Sequence, residues 1–212
     1  MRIRNIKNAD DIITNSKYVI KDYKEYKKKF NELFKNNNPI CLEIGMGKGD
    51  FIIKRALNNP NVNYIGLEKY TSIIAKACKK LENLDIPNLR IINADAKELN
   101  LIFDHEIDTI FLNFSDPWPK ARHAKRRLTS PVFLKIYDDI FAGDAKIMQK
   151  TDNTLLFESS IIDLTTYGYQ IKDISLDLWN TDKVYEETEY EHKFRTAGIK
   201  INYLQAFKPI KK

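Results

Sequence analysis

The sequence has few cysteines and no long apolar run. Cys41 and Cys78 both lie in apolar surroundings and lack the spacing of a metal site, so we expect two buried, reduced thiols. No apolar stretch approaches the length of a membrane span, and the N-terminus lacks the apolar core of a signal peptide. These absences predict a cytoplasmic protein that uses no metal ion and no membrane partner.

Length and composition favour one globular domain with an N-terminal extension. The chain has 212 residues, of which 43% are hydrophobic, and it contains no repeat, linker or low-complexity segment. We expect an arm and a helix over residues 1–36, packed on a single domain over residues 37–212. The net charge of +6 permits a nucleic-acid partner without requiring one. No protein partner is evident, and a monomer and a homodimer both fit the sequence.

In the N-terminal extension, the sequence pattern predicts a loose arm over residues 1–16 and a helix that begins at Lys17. Five residues at helical spacing would form its apolar face: Tyr23, Tyr26, Phe30, Leu33 and Phe34. Four lysines would share a basic stripe along it: Lys17, Lys21, Lys24 and Lys28. Because most charge runs are solvated, we favour a solvated helix face over an RNA contact for this stripe.

A strand, a glycine turn and a helix follow, which is the start of a nucleotide-type βαβ unit. Residues 40–44 form a short apolar run suited to a buried parallel strand. Gly45, Gly47 and Gly49 then let the chain turn sharply and let a ligand approach the backbone. The third glycine comes one residue earlier than in a dinucleotide site, and Glu43 would repel a pyrophosphate. The pattern suits S-adenosylmethionine better, because that molecule carries an ammonium and a sulfonium and no phosphate.

Two further acids follow the next predicted strands. Glu68 ends a strand over residues 62–67, and Asp95 comes just after a strand over residues 88–93. An acid at the position of Glu68, roughly 20 residues past the turn, is placed to bind both ribose hydroxyls. Asp95 could accept a hydrogen bond from an adenine amino group. Together with Glu43, these acids at three successive strand ends favour one adenosine-containing ligand.

Residues 111–120 concentrate the polar chemistry of the chain. They begin as a buried strand, predicted over residues 107–114, and two prolines then prevent further pairing in a sheet. Asp116, Trp118 and Lys120 therefore share one stiff loop at the C-terminal end of a strand, where α/β sheets bind ligands. We call the cations that follow the basic run: Arg122, Lys125, Arg126 and Arg127. We interpret the loop as a site for a nucleic-acid base with phosphate-binding groups beside it, and a basic surface turn is the alternative.

The remaining sequence predicts alternating helices and strands. Ser130 is expected to cap a helix that starts with Pro131 and continues to Gly143. The other predicted helices cover residues 70–84 and end near residue 167, and the other predicted strands cover residues 145–150, 171–176 and 199–207.

Three motifs together resemble the bacterial tRNA (guanine-N7-)-methyltransferases. They are Leu-Glu-Ile-Gly-Met-Gly-Lys-Gly from Leu42, Asn-Phe-Ser-Asp-Pro-Trp-Pro-Lys from Asn113, and Thr-Glu-Tyr-Glu from Thr188. The resemblance covers nearly the whole chain, and Asp-Pro-Trp-Pro-Lys is its most specific part. It implies an α/β fold of the class I methyltransferases, which is a Rossmann-like, mostly parallel seven-stranded sheet with an antiparallel last strand. It also implies S-adenosylmethionine as methyl donor and a variable-loop guanine of tRNA, guanine-46, as acceptor.

The same resemblance assigns individual residues. For the cofactor it implies the three glycines of the turn together with Glu43, Glu68, Asp95, Asn113 and Asp116, of which Asp116 is also the active-site acid. For the substrate it implies Lys120, Asp152, Thr188, Tyr190 and Glu191, beside the basic run. The Thr-x-x-Glu spacing of the last motif is also a capping-box signature, so a helix could start there as well.

The implied reaction needs no general base, because guanine N7 has a free lone pair and no proton. A protein can supply alignment of the reacting atoms and fixed negative charge where cation develops. Asp116 suits either that charge role or acceptance of hydrogen bonds from the N1–H and amino edge of a flipped guanine. The sequence leaves both roles open.

Three other functions compete with this interpretation. An amino-group methyltransferase would use an Asp-Pro-Pro-aromatic loop, in which Trp118 here replaces the second proline. A nicotinamide oxidoreductase would need the wider glycine spacing and hydride-site residues. A non-catalytic RNA-binding module is the third, and a lack of affinity for S-adenosylmethionine would favour it.

Overall fold

A seven-stranded sheet forms the centre of the computed structural model, which describes residues 6–181 and 189–210. The strands are β1 (Ile40–Ile44), β2 (Asn63–Glu68), β3 (Leu89–Asn93), β4 (Ile107–Asn113), β5 (Phe141–Thr151), β6 (Gln170–Ser175) and β7 (Asn202–Lys208). Their order across the sheet is β3-β2-β1-β4-β5-β7-β6, and β7 runs antiparallel to both of its neighbours. The predicted Rossmann-like α/β fold, with its antiparallel last strand, is confirmed.

Helices cover both faces of this sheet. They are α1 (Ala9–Asn15), α2 (Phe30–Phe34), α3 (Asp50–Asn58), α4 (Thr71–Leu81), α5 (Leu99–Ile102), α6 (Pro131–Asp138), α7 (Thr154–Thr166) and α8 (Glu189–Thr196). Successive side chains of β1 point to opposite faces, so Leu42 packs with α6 and α7 while Cys41 packs with α3 and α4. Cys41 and Cys78 are both buried and form no disulfide bond, as predicted.

The direction of the chain across the sheet reverses at β1. From β1 the chain moves outward to β2 and β3, and it then returns to the other side of β1 to form β4. The crossover connections diverge at such a point and leave a crevice above the C-terminal ends of the two strands, where open α/β sheets bind ligands. The glycine turn after β1 and Asn113 at the end of β4 both lie at this crevice.

The N-terminal extension differs from the prediction. Part of the expected loose arm is helical (α1), and the helix expected from Lys17 is absent, with a single 3-10 turn over Tyr23–Tyr26 before α2. The reason is a competing partner for the backbone. Ile20 N donates to Ile91 O at 2.9 Å and Ile91 N donates to Tyr18 O at 2.8 Å, so this segment bonds to the edge of β3.

The four lysines of the predicted stripe therefore do not share a helix face. Three of them form ion pairs with acids of the same chain: Lys17 with Asp85 at 2.8 Å, Lys24 with Glu98 at 2.9 Å and Lys28 with Asp104 at 3.2 Å. Each of these pairs neutralises one cation on the surface, which weakens the stripe as a binding surface for phosphates.

The predicted helix that starts at Pro131 also differs from α6 in its cap and in its last residue. Pro131 is the first residue of the helix, as predicted, but the Ser130 hydroxyl does not cap it and instead donates to Lys125 O at 3.2 Å. The helix ends at Asp138, before the predicted Gly143, because Phe141 already pairs with Ile107 as part of β5.

Asn88 stabilises the loop between α3 and β2 by hydrogen bonds, and this role can be tested. Its buried amide nitrogen lies 3.0, 3.1 and 2.8 Å from the carbonyl oxygens of Ala56, Asn59 and Val62. We expect Asn88→Ala to lower the free energy of unfolding by about 1–3 kcal/mol, because buried carbonyls lose their donor. Denaturant unfolding measures this. Asn61→Ala, an exposed position in the loop between α3 and β2 that Asn88 contacts, is the control, and an equal loss of stability in both variants would show that these hydrogen bonds do not matter.

Candidate active site

The glycine turn lies directly after β1 and is fixed to β2. Gly45, Gly47 and Gly49 have φ angles of 76°, 59° and 78°, the left-handed region in which a Cβ atom is costly. Gly45 N and Met46 N donate to Leu67 O at 2.8 and 3.1 Å. The backbone conformation thus explains the glycines, and their contact with a cofactor stays a prediction.

Glu68 joins the end of β2 to this turn. Its buried carboxylate accepts hydrogen bonds from the backbone N–H groups of Gly47, Lys69 and Tyr70, at 3.2, 2.9 and 3.0 Å. Burial raises the pKa of Glu68, and the three backbone donors oppose that rise. Glu68 is therefore held in place at the strand end predicted for the ribose contact.

A hydrogen bond between Glu43 and Asn113 crosses the point where the strand order reverses. Asn113 Nδ2 donates to Glu43 Oε1 at 2.8 Å. Glu43 is only 2% exposed, and its other oxygen, Oε2, has no hydrogen-bond partner among the described residues. Burial raises the pKa of Glu43 to about 8, while Asn113 and the charge of Lys150 oppose the rise. The crevice thus contains a buried acid with one oxygen available to a ligand.

Lys150 on β5, which the sequence analysis missed, lies next to Asn113. We call Glu43, Asn113 and Lys150, on three neighbouring strands, the polar row. It pairs in register with Asn113, and its ammonium lies 2.8 Å from Glu191 Oε1 and 5.5 Å from the centre of the Phe51 ring. The available signal was a lysine at the end of a strand, directly before the loop that carries Asp152. Glu191, predicted to bind substrate, is fully buried on α8.

The loop after β4 has an unusual backbone. Phe114 and Trp118 have φ angles of 51° and 42°, and a bulky residue in this region costs on the order of 1–3 kcal/mol. Arg127 stabilises the loop, because its Nε and Nη2 donate to the carbonyl oxygens of Pro117 and Trp118, both at 3.2 Å. Asp116, between the two aromatic residues, is exposed.

Arg122, Lys125 and Arg126 of the basic run lie on a 3-10 helix, Ala121–Arg126, that the sequence analysis did not predict, and Arg127 follows this helix directly. Its exposed cations are Arg122, Lys125 and Arg126, and Lys120 immediately before the helix is exposed as well. The Arg126 guanidinium lies 4.8 Å from the centre of the Trp118 ring, which His123 contacts edge-on at 5.7 Å. Arg126 and Trp118 therefore form one cationic, aromatic surface, whereas Arg127 is engaged by the loop.

Two more predicted residues, Asp95 and Asp152, come just after the C-terminal ends of strands. Asp95, just after β3, accepts from Lys97 N at 3.0 Å and so caps a 3-10 turn. Asp152 is exposed directly after β5. Tyr190 lies on α8, and its side chain is outside what the structure describes, as is the whole of Thr188.

Metal and membrane features were searched in residues 6–181 and 189–210. This part of the chain contains no group of three or more His, Cys, Asp or Glu residues that could hold a metal ion. None of its helices is both long and apolar enough to cross a membrane.

The fold and the site together define a methyltransferase. A family described as "Putative methyltransferase" matches residues 37–204. Among solved structures, an antibiotic-related methyltransferase aligns with a TM-score of 0.63 at 19% identity, over 86% of this chain and 94% of that one. A 16S rRNA methyltransferase aligns with a TM-score of 0.61 at 14% identity, over 87% and 94%. At these identities the likeness shows the fold alone.

Proteins with similar sequences identify which family of methyltransferases this chain belongs to. A tRNA (guanine-N(7)-)-methyltransferase of Lachnoclostridium phytofermentans is 46% identical over 211 residues, which are 98% of this chain and 99% of the relative. The enzyme of the same name from Geobacillus thermodenitrificans is 46% identical over 212 residues, 99% and 98% of the two chains. The chain belongs to the tRNA (guanine-N(7)-)-methyltransferase family, which favours this enzyme class over the three alternatives.

The buried Glu43 predicts a pH-dependent stability. A carboxyl group whose pKa is raised on folding contributes stability that is present below its ordinary pKa, near 4.5, and lost as the pH rises through about 8. We expect Glu43→Gln to remove this loss, so that the variant gains at least about 1 kcal/mol more over wild type at pH 9 than at pH 5. Denaturant unfolding at both pH values measures it, with the exposed Glu82→Gln as control. An equal difference at the two pH values would show that Glu43 does not carry this effect.

Proposed function

We propose that the protein transfers a methyl group from S-adenosylmethionine to N7 of a guanine in tRNA, and that the acceptor is guanine-46 of the variable loop. The observation that carries this is the arrangement of Glu43, Glu68 and Asp116 at or just after the ends of β1, β2 and β4, around the reversal of strand order. The names of the relatives support tRNA and guanine N7. The choice of guanine-46 rests on the sequence resemblance alone.

The residues of the crevice fit S-adenosylmethionine. Glu43 Oε2 is a buried oxygen that has no hydrogen-bond partner within residues 6–181 and 189–210, and an ammonium is a partner that suits such an atom. Glu68 offers a fixed carboxylate at the strand end where a ribose would bind, and Asp95 offers another at the next strand end. When bound, the donor supplies a methyl group on a sulfonium, which N7 takes with its lone pair while sulfur keeps the electrons of the broken bond.

The protein's own part in this reaction is to bind and align. No residue has to remove a proton, since N7 carries none. Asp116 either stabilises the positive charge that develops on guanine or accepts hydrogen bonds from its N1–H and amino edge. Arg127 restrains the backbone directly after Asp116, so this part of the loop is ordered before the substrate arrives.

The substrate would be bound on the side of the basic run. Arg122, Lys125 and Arg126 are exposed on one 3-10 helix next to the Asp116 loop, where they can contact phosphates. Trp118, already covered on its ring by Arg126, offers a stacking surface next to them. Lys120 and Asp152 are exposed beside the crevice and complete the proposed substrate contacts. A cytoplasmic location and a monomeric or homodimeric state remain predictions from the sequence.

Asp116 gives the direct test of the proposed chemistry. Wild type incubated with unmodified tRNA and methyl-labelled donor should produce 7-methylguanosine on nucleoside analysis. Asp116→Asn keeps the shape of the side chain and removes its charge, so we expect single-turnover methylation to fall on the order of 100-fold while the fold is retained.

The matched control is Asp10→Asn, an exposed aspartate on α1 far along the chain from the site. It should methylate as wild type does. Wild-type rates in Asp116→Asn would exclude a direct role for that carboxylate, and a labelled product other than 7-methylguanosine would exclude the proposed reaction.

The basic run predicts a salt dependence. Neutralising Arg122, Lys125 and Arg126 together to Gln should reduce the slope of log affinity for tRNA against log salt concentration, by about 2 units if each contacts one phosphate. Arg127 is left unchanged, because it stabilises the Asp116 loop. Binding titrations at several salt concentrations measure the slope.

A second triple variant separates location from total charge. Lys29, Lys35 and Lys79 are exposed lysines outside the basic run, and their replacement by Gln removes the same net charge. If both triple variants lower the slope equally, the run is ordinary charged surface. Affinity for S-adenosylmethionine should be unchanged in both.

A further inference from the structure

Helix α8 contacts both sides of the candidate active site. In its first turn, Glu191 Oε1 lies 2.8 Å from the ammonium of Lys150 at the end of β5. In its second turn, the Phe194 ring lies 5.7 Å from the ring of Phe114, two residues before Asp116. The position of α8 is therefore linked to the polar row at the crevice and to the loop that carries the active-site acid.

The contact between Lys150 and Glu191 is buried, unlike the ion pair between Lys146 and Asp108. The side chains of Lys150 and Glu191 are 6% and 0% exposed, whereas Lys146 and Asp108, which pair at 2.9 Å further back on β5 and β4, are 40% and 38% exposed. An exposed pair can separate into water at little cost, but separation of a buried pair leaves a charge in the interior. The Lys150–Glu191 pair can therefore hold α8 in one position.

The direction of the Glu191 side chain bears on its role. The sequence resemblance implies that Glu191 binds the substrate, yet its carboxylate faces Lys150 within the protein interior. Asn113, beside Lys150 in register, is itself bonded to Glu43. The two ends of the polar row therefore face different partners. Glu43 directs Oε2 to where the donor's ammonium would bind, and Lys150 faces α8, which carries predicted substrate residues.

We propose that Lys150 is a positioning residue for tRNA, which holds the start of α8 through Glu191 and thereby sets the position of Tyr190 on the same turn. The inference rests on the proposed function, since it concerns the same substrate. In this arrangement Glu191 acts through Lys150 and the helix, and it does not contact the guanine.

Four variants test this arrangement: Lys150→Met, Glu191→Met, the double variant, and Lys146→Met as the matched control for an exposed pair on the same strand. Each single variant removes one of the two charges of the buried pair, so we expect the tRNA KM to rise at least about 10-fold and amide exchange over residues 189–196 to accelerate. The double variant replaces the pair by two apolar side chains and should restore both quantities to within about 3-fold of wild type. Lys146→Met should match wild type in both quantities.

The two readouts distinguish positioning from direct contact. A double variant with restored exchange protection and a tRNA KM still raised would show that the Glu191 carboxylate contacts the substrate, and it would overturn the proposal. Lost protection with an unchanged tRNA KM would overturn it as well, because the helix position would then not matter to tRNA. Unchanged exchange in Lys150→Met would show that the pair does not hold α8.

The exchange measurement needs no tRNA, so the two proposals can fail separately. If wild type makes no 7-methylguanosine, the proposed function fails and the substrate role of Lys150 fails with it. If wild type methylates tRNA and Lys150→Met retains the tRNA KM of wild type, the positioning role alone is wrong.

Discussion

Burial of charged side chains at the ends of β1 and β5 is the constraint on which this site depends. Glu43, Lys150 and Glu191 are all removed from water, and a buried charge is tolerated only with partners. Asn113 and the Lys150–Glu191 pair supply most of them, in one row across neighbouring strands. Glu43 Oε2 has no hydrogen-bond partner among residues 6–181 and 189–210. In the proposed function this buried oxygen is the atom that a cationic ligand would contact.

Rigid backbone and exposed side chains are combined in the loop after β4. The left-handed conformations of Phe114 and Trp118 are costly, and Arg127 stabilises them by donating to the carbonyl groups of Pro117 and Trp118. Asp116 is exposed on this restrained backbone. A restrained backbone loses little conformational freedom when a ligand binds to a residue on it.

The parts of the fold that could be predicted from the sequence are those set by local pattern. The strand of Ile40–Ile44 is apolar throughout, and the turn after it needs glycines for left-handed φ angles, so both followed from composition and spacing. The helix expected from Lys17 failed because its backbone finds partners on β3, near Ile91, far along the chain. Lys150 was missed for the same reason, since its partner Glu191 is distant in sequence and a lone lysine carries no pattern.

The segment at Tyr18–Ile20 has a further consequence for the solubility of the protein. By bonding to Ile91, it covers the outer edge of β3, which is one of the two ends of the sheet. An uncovered strand edge presents free N–H and C=O groups that can pair with the sheet of another molecule. A chain trimmed to begin at residue 37, where the family match starts, would keep every strand and still expose this edge. Residues 18–20 thus occupy hydrogen-bonding groups of β3 that would otherwise be open to edge-to-edge pairing.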